Sequence, residues 1–147
     1  MFAQDKKKTP LRQDPYYQAQ AILSRRDHTE AEVRFKLRKK GFSTAQVQEV
    51  MNWLKEKKFI NDETFATKYV ENTLRFKAVG RRWLRFKLQQ KGLSEENITQ
   101  ALAQYSPAEE EIQRQQAITR WQENHSNDGK PEALARFLAS RGFAPFS

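Results

Sequence analysis

The stretch Val33-Arg34-Phe35-Lys36-Leu37, followed by Lys40-Gly41-Phe42-Ser43, returns about 51 residues later as Leu84-Arg85-Phe86-Lys87-Leu88 and Lys91-Gly92-Leu93-Ser94. Arg-Phe-Lys-Leu is repeated letter for letter. A weaker third copy follows, with Leu134 and Leu138 at the places of Leu84 and Leu88 and Arg141-Gly142-Phe143 at the place of Lys91-Gly92-Leu93. Self-similarity at a fixed period of this size marks a repeat architecture.

Each copy reads as helix, glycine, helix. Thr29 with Glu32 forms a capping box, Val33 and Leu37 sit four apart, and Gly41 supplies the C-terminal stop. Ser43 with Gln46 opens a second helix, whose Val47, Val50, Met51 and Leu54 make one apolar stripe. Upstream, Tyr16 to Arg25 reads as a helix buried through Ala19, Ile22 and Leu23. In the second copy Asn61 or Asp62 is the N-cap of a helix with Phe65, Tyr69, Thr73 and Phe76 on one face. Helices over about 81–91 and from Ser94 through Ile98, Ala101, Leu102 and Tyr105 follow. Ser106-Pro107-Ala108-Glu109 is the clearest helix start, opening a helix expected to reach Glu123. A polar loop 124–130 and a short helix from Pro131 end the chain.

No segment alternates apolar and polar residues as a strand would. The expected fold is all-α: an elongated, curved array of tandem three-helix repeats over 15–59, 60–105 and an incomplete 106–147, behind a mobile basic tail 1–14. Composition agrees with small cores. The 147 residues are 37% hydrophobic, yet 12% are aromatic, too many for a wholly disordered chain. Cysteine is absent, which excludes disulfides, thiolate metal sites and a cysteine nucleophile. No signal-type or membrane-spanning apolar run occurs, so a cytosolic location is expected.

The net charge of +9 favours a polyanionic partner, against the plainer reading of a merely basic surface. Between Asn72 and Ser94 lie Arg75, Lys77, Arg81, Arg82, Arg85, Lys87 and Lys91, with no acidic residue. Solvated helix faces normally mix signs, so this stretch reads as a sequence-independent binding surface for single-stranded DNA. On a helical wheel Leu84 and Leu88 face the core while Arg82, Arg85, Phe86 and Gln89 face away. Phe35, beside Arg34 and Arg38, repeats the pattern. Either these rings pack one repeat on another, or they stack on bases or a partner between arginines. Trp83 is assigned to packing.

Catalytic signals are missing. There is no glycine-rich phosphate loop, and no nucleophile stands beside a base. His28 and His125 fall in expected loops without metal-ligand spacing, His28 as a turn residue. Neither enzyme activity, cofactor nor metal is expected.

Arg26-Asp27-His28-Thr29-Glu30, then Leu37 and Lys40-Gly41-Phe42, then Phe59-Ile60-Asn61-Asp62 with Phe65-Ala66 and Tyr69-Val70 resemble the RecX family of bacterial recombination regulators. So do Gly80-Arg81-Arg82, Leu84, Leu88 and Lys91-Gly92. The resemblance spans roughly 16–143. It implies a non-enzymatic, monomeric modulator whose three-helix repeats lie in the groove of the RecA filament on single-stranded DNA. Family members inhibit filament growth and the ATPase, strand-exchange and coprotease activities that depend on it. The binding surface would comprise Arg75, Lys77, Arg81, Arg82, Arg85, Phe86, Lys87 and Lys91, with Arg34, Phe35 and Arg38. This sequence stops just after Gly142-Phe143, where family members continue into a last helix. Either Phe143 and Phe146 cover the open core edge or the third repeat is loose.

Two other classes compete. Helix 29–40, Gly41 and helix 44–58 could pass for a DNA-reading helix-turn-helix, although Glu49 and Glu56 make the second helix a poor reader. A protein-only adaptor with an acidic partner is the other, and it would bind without DNA.

Overall fold

A computed structural model describes residues 11–125 and 129–144. After a 3-10 turn at Leu11–Gln13 come eight α-helices among the described residues: α1 Pro15–Arg25, α2 Glu30–Lys39, α3 Thr44–Glu56, α4 Asp62–Phe76, α5 Arg81–Gln90, α6 Glu95–Ala103, α7 Pro107–His125 and α8 Pro131–Ser140. The described residues include no strand. Most of the basic tail, residues 1–10, lies outside them, as does Phe146.

Capping residues set the helix starts. Thr29 and Ser43 form complete capping boxes with Glu32 and Gln46. Asn61 Oδ1 accepts the Thr64 N–H at 3.0 Å, which decides the N-cap of α4. The Ser106 and Glu109 box opens α7. That helix runs through Asn124 to His125, past the expected Glu123, because Nδ1 of His125 lies 2.8 Å from the Trp121 carbonyl and the two rings stack at 4.3 Å.

One turn ends a helix in each copy of the repeat. Gly41, Gly92 and Gly142 hold φ of +99°, +79° and +81°. In each, the glycine N–H bonds three residues back and the next residue's N–H bonds five back, as in Phe42 to Leu37, Leu93 to Leu88 and Phe143 to Leu138. This is the Schellman motif, whose left-handed position favours glycine. The same bonds close α3 at Lys58 and Phe59, but there a lysine occupies φ +61°.

The chain divides between Phe65 and Ala66 into two compact units. The first unit's core comprises Ala19 and Ile22 of α1, Val33 and Leu37 of α2, and Val47, Val50, Met51 and Leu54 of α3, closed by Phe42 and Ile60. Trp53 sits edge-on to both Tyr16 and Phe59, at 5.2 and 5.5 Å between centroids. Such layers carry most of the stability of a small domain, and truncating a buried leucine costs about 2–5 kcal/mol.

In the second unit Leu84, Leu88, Ile98, Leu102 and Tyr105 are buried. The α4 residues buried there are Ala66 and Val70, rather than the aromatic line read from sequence; Tyr69 is half-buried and Phe76 is 75% exposed. The third copy is packed within this unit: Phe143, Leu138 and Ala117 form a cluster with Ala78. Its turn also caps α5. Gly80 N–H bonds the Arg141 carbonyl at 2.7 Å, and Arg82 N–H the Gly142 carbonyl at 3.3 Å. A Cβ on Gly80 would overlap the Gly142 carbonyl, and one on Gly142 would overlap the Trp83 backbone, so each glycine permits the contact.

Candidate nucleic-acid interface

The helix following each domain's first connection has an under-satisfied N-terminus, and a later carboxylate completes it. Asp62 Oδ1 accepts the Glu30 N–H at 2.9 Å, and Glu110 Oε2 accepts the Arg81 N–H at 2.7 Å. Both acceptors come from the first turn of a later helix, where they supply negative charge to a positive helix end. Burial nevertheless pushes the Asp62 carboxyl up from its ordinary value. These anchors orient α2 and α5, the helices that carry the repeated Arg-Phe-Lys.

On α5, Leu84 and Leu88 are fully buried, and the opposite face presents Arg82, Phe86 and Gln89 to solvent, with Phe86 56% exposed. The Arg82 side chain pairs with no carboxylate among the described residues. Arg85 is half-exposed and bonds both oxygens of Glu95, at 3.0 and 2.9 Å. A pair so open to water contributes little stability and exchanges readily for another anion. Lys77 and Lys87 each place Nζ 5.3 Å from the Trp83 ring centroid, a cation–π arrangement that goes beyond packing. Lys91 lies 5.3 Å from the Tyr69 ring, and Arg75 is exposed at the end of α4. Burial raises the Tyr69 hydroxyl pKa.

Arg81 differs from its neighbours. Its guanidinium bonds the Leu102 carbonyl at 2.9 Å and the Tyr105 carbonyl, lies 5.7 Å from the Tyr105 ring, and approaches Glu110. It serves the unsatisfied carbonyls at the end of α6 and is a structural cation. Tyr105 is buried, its hydroxyl bonding the Val79 carbonyl at 2.8 Å, and burial raises its pKa.

In the first unit Phe35 is 67% exposed. Arg34 pairs with Glu30 at 3.0 Å, and Arg38 bonds the Thr44 hydroxyl at 2.6 Å. Phe76, on the α4 face expected to be buried, is instead an outward ring, and the sequence signal for it is Arg75-Phe76-Lys77, a third Arg-Phe-Lys. His28 does occupy a connection but is only 3% exposed, so it is a core residue rather than a simple turn residue.

Successive three-helix domains, each closing a helix with a glycine turn and bearing an outward arginine-flanked phenylalanine, define a tandem helical-domain protein without an evident reaction centre among the described residues. Residues 16–54 match the family described as "RecX, first three-helix domain", and residues 61–102 match "RecX, second three-helix domain". The chain is 33% identical over 126 residues to the regulatory protein RecX of Chlorobium limicola, covering 83% of this chain and 77% of that one. The corresponding protein of Clostridium botulinum (strain Alaska E43 / Type E3) is 32% identical over 129 residues, and the match spans 58% of its length. The crystal structure of RecX from Lactobacillus salivarius superposes with a TM-score of 0.79 at 23% identity, covering 91% of this chain and 89% of that one. The chain belongs to the RecX family of regulatory proteins. No helix among its described residues is long and apolar enough to cross a membrane.

Proposed function

We propose that this chain is a cytoplasmic, monomeric, non-enzymatic regulator that binds the RecA filament on single-stranded DNA and inhibits the filament's ATPase, strand-exchange and coprotease activities. Family membership supports RecA as the partner. The observation that carries the contact mode is the outer face of α5, where exposed Arg82 and Phe86 stand opposite buried Leu84 and Leu88. Cations beside exposed rings suit phosphates beside unstacked bases, with affinity but little sequence information. In this reading Arg75, Lys77, Lys87 and Lys91 add cationic contacts from around α5, and Arg85 joins them by exchanging Glu95 for phosphate.

The working units in this reading are the repeats 15–59, 60–105 and the shorter 106–147. Each offers a weak site, and spanning several sites on one filament raises the effective concentration of the others. The filament is then preferred over isolated RecA or bare DNA. No cofactor or metal enters the reading.

The test is RecA ATP hydrolysis on single-stranded DNA, with increasing amounts of the intact chain. Slowing that saturates, and that Arg82→Ala with Lys87→Ala weakens, supports inhibition through this face. Hydrolysis unchanged at saturating chain would overturn it.

A further inference from the structure

Residues 25–40 mix seven basic residues with Asp27, Glu30 and Glu32 in sequence, but folding sorts the charges. Glu30 is engaged by Arg34 at 3.0 Å and Lys55 at 2.9 Å, and Glu32 by the Thr29 N–H at 3.0 Å and Arg26 at 3.4 Å. Both acids belong to the first turn of α2. Lys36, Lys39 and Lys40 lie at the helix's other end, and with Arg25 of α1 they line a cleft of about 490 Å³. Gln18, Ala21 and the buried Ile22 complete its wall, and none of the described lining residues is acidic. Four cations around one opening repel each other, and a polyanion entering it relieves that repulsion.

One of the four is held from below. Lys36 Nζ lies 2.8 Å from Nε2 of buried His28, whose Nδ1 is 2.9 Å from the Arg26 carbonyl. An ammonium only donates, so the hydrogen-bond roles assign a neutral imidazole, accepting at Nε2 and donating from Nδ1. Burial also lowers the His28 pKa. Lys36 thus has a fixed position and two N–H donors not committed to His28. At the rim, Lys39 Nζ stands 6.0 Å from the centroid of Phe35, the most exposed ring among the described residues of this unit. A cationic cleft beside an open aromatic face is the arrangement that holds a strand's backbone and stacks its bases.

We propose that the cleft between α1 and α2 is a second, sequence-independent site for the phosphodiester backbone of single-stranded nucleic acid, with Phe35 as its base platform. The proposal rests on the reading above in taking a single strand as ligand. It uses Arg25, Lys36, Lys39 and Lys40, none of which belongs to the α5 face.

The test titrates the intact chain against a fluorescent oligothymidylate over a range of salt, by anisotropy. Arg25 and Lys40 are exposed, so Arg25→Ala with Lys40→Ala should fold and melt like the parent chain. Losing two phosphate contacts should make the log–log salt dependence shallower by about 1.4, at about 0.7 per contact on a single strand. Phe35→Ala should weaken oligothymidylate binding roughly five- to 150-fold while competition by inorganic tripolyphosphate stays unchanged. A salt slope unaltered by the Arg25 and Lys40 changes overturns the cleft. If Arg82→Ala with Lys87→Ala still flattens the slope in that case, the reading of the α5 face survives without it. An altered slope with oligothymidylate affinity indifferent to Phe35→Ala would also overturn the proposal, assigning the cleft to free polyphosphates. A flattened slope with Arg82→Ala and Lys87→Ala inert would leave the cleft standing and remove the α5 face.

Discussion

Gly41 and Gly142 occupy the same position of the same turn, with φ of +99° and +81°, yet their surroundings differ. A Cβ on Gly41 meets nothing within 4 Å, whereas one on Gly142 would overlap the backbone and Cβ of Trp83. Gly41→Ala therefore incurs only left-handed strain, about 1 kcal/mol. Gly142→Ala incurs the same strain, and a backbone clash cannot be relieved by rotating a side chain. The turn must withdraw from α5, losing the Gly80 to Arg141 and Arg82 to Gly142 bonds at about 1 kcal/mol each. The sum is about 3 kcal/mol. At about 2–4 °C per kcal/mol for a chain of this size, melting should fall by about 2–4 °C for Gly41→Ala and about 6–12 °C for Gly142→Ala. Circular dichroism melts of both variants under identical conditions make the comparison. Equal losses, or a larger one at Gly41, would refute the proposition that the third copy's turn caps α5.

Other expectations concern single groups. Lys58→Gly should stabilise by about 0.5–1 kcal/mol, because glycine relieves the left-handed strain at φ +61° that lysine bears; a lower urea midpoint would contradict this. Arg81→Ala should destabilise by about 2–3 kcal/mol, since the Leu102 and Tyr105 carbonyls lose a charged donor. A triple change of Arg81, Arg82 and Arg85 would therefore confound stability with binding; urea unfolding of the single Arg81 variant separates the two. Burial, with the Arg26 and Lys36 charges against Glu32, lowers the folded pKa of His28. Its contribution to stability is complete above the unfolded value of about 6.5, and is lost as pH falls through that value towards the lower folded one. Urea midpoints should drop between about pH 7.5 and about pH 5.5, by more than in His28→Gln.

The helix starts and the repeated turn were legible because they are local. A capping box spans four residues, and Lys-Gly-Phe or Lys-Gly-Leu announces a left-handed stop without reference to the rest of the chain. Leu84 and Leu88 likewise fixed the inner face of α5, so Phe86 was read as outward. What sequence did not reveal depends on distant partners. Arg81 looked like the leading binding arginine, but its carbonyl partners lie 21 and 24 residues away, at the end of another helix. Asp62 and Glu110 serve N-termini 32 and 29 residues upstream. On α4 the aromatic line is the conspicuous pattern in sequence, whereas close packing selects the small Ala66 and the branched Val70. The basic cleft was hidden because linear order sets Asp27, Glu30 and Glu32 between Arg25 and the cluster Lys36, Lys39 and Lys40, and only folding brings these four cations to one opening.

The reading of this chain as a filament regulator turns on preference. The labelled intact chain is titrated, by fluorescence anisotropy at two salt concentrations, against preformed RecA filaments on single-stranded DNA, bare single-stranded DNA and free RecA. Binding to the filament should be markedly tighter than to either component, and salt should weaken it. Equal affinity for bare and coated DNA would contradict it and leave a basic helical DNA binder, while equal affinity for free RecA and the filament would leave a protein adaptor to which DNA is irrelevant.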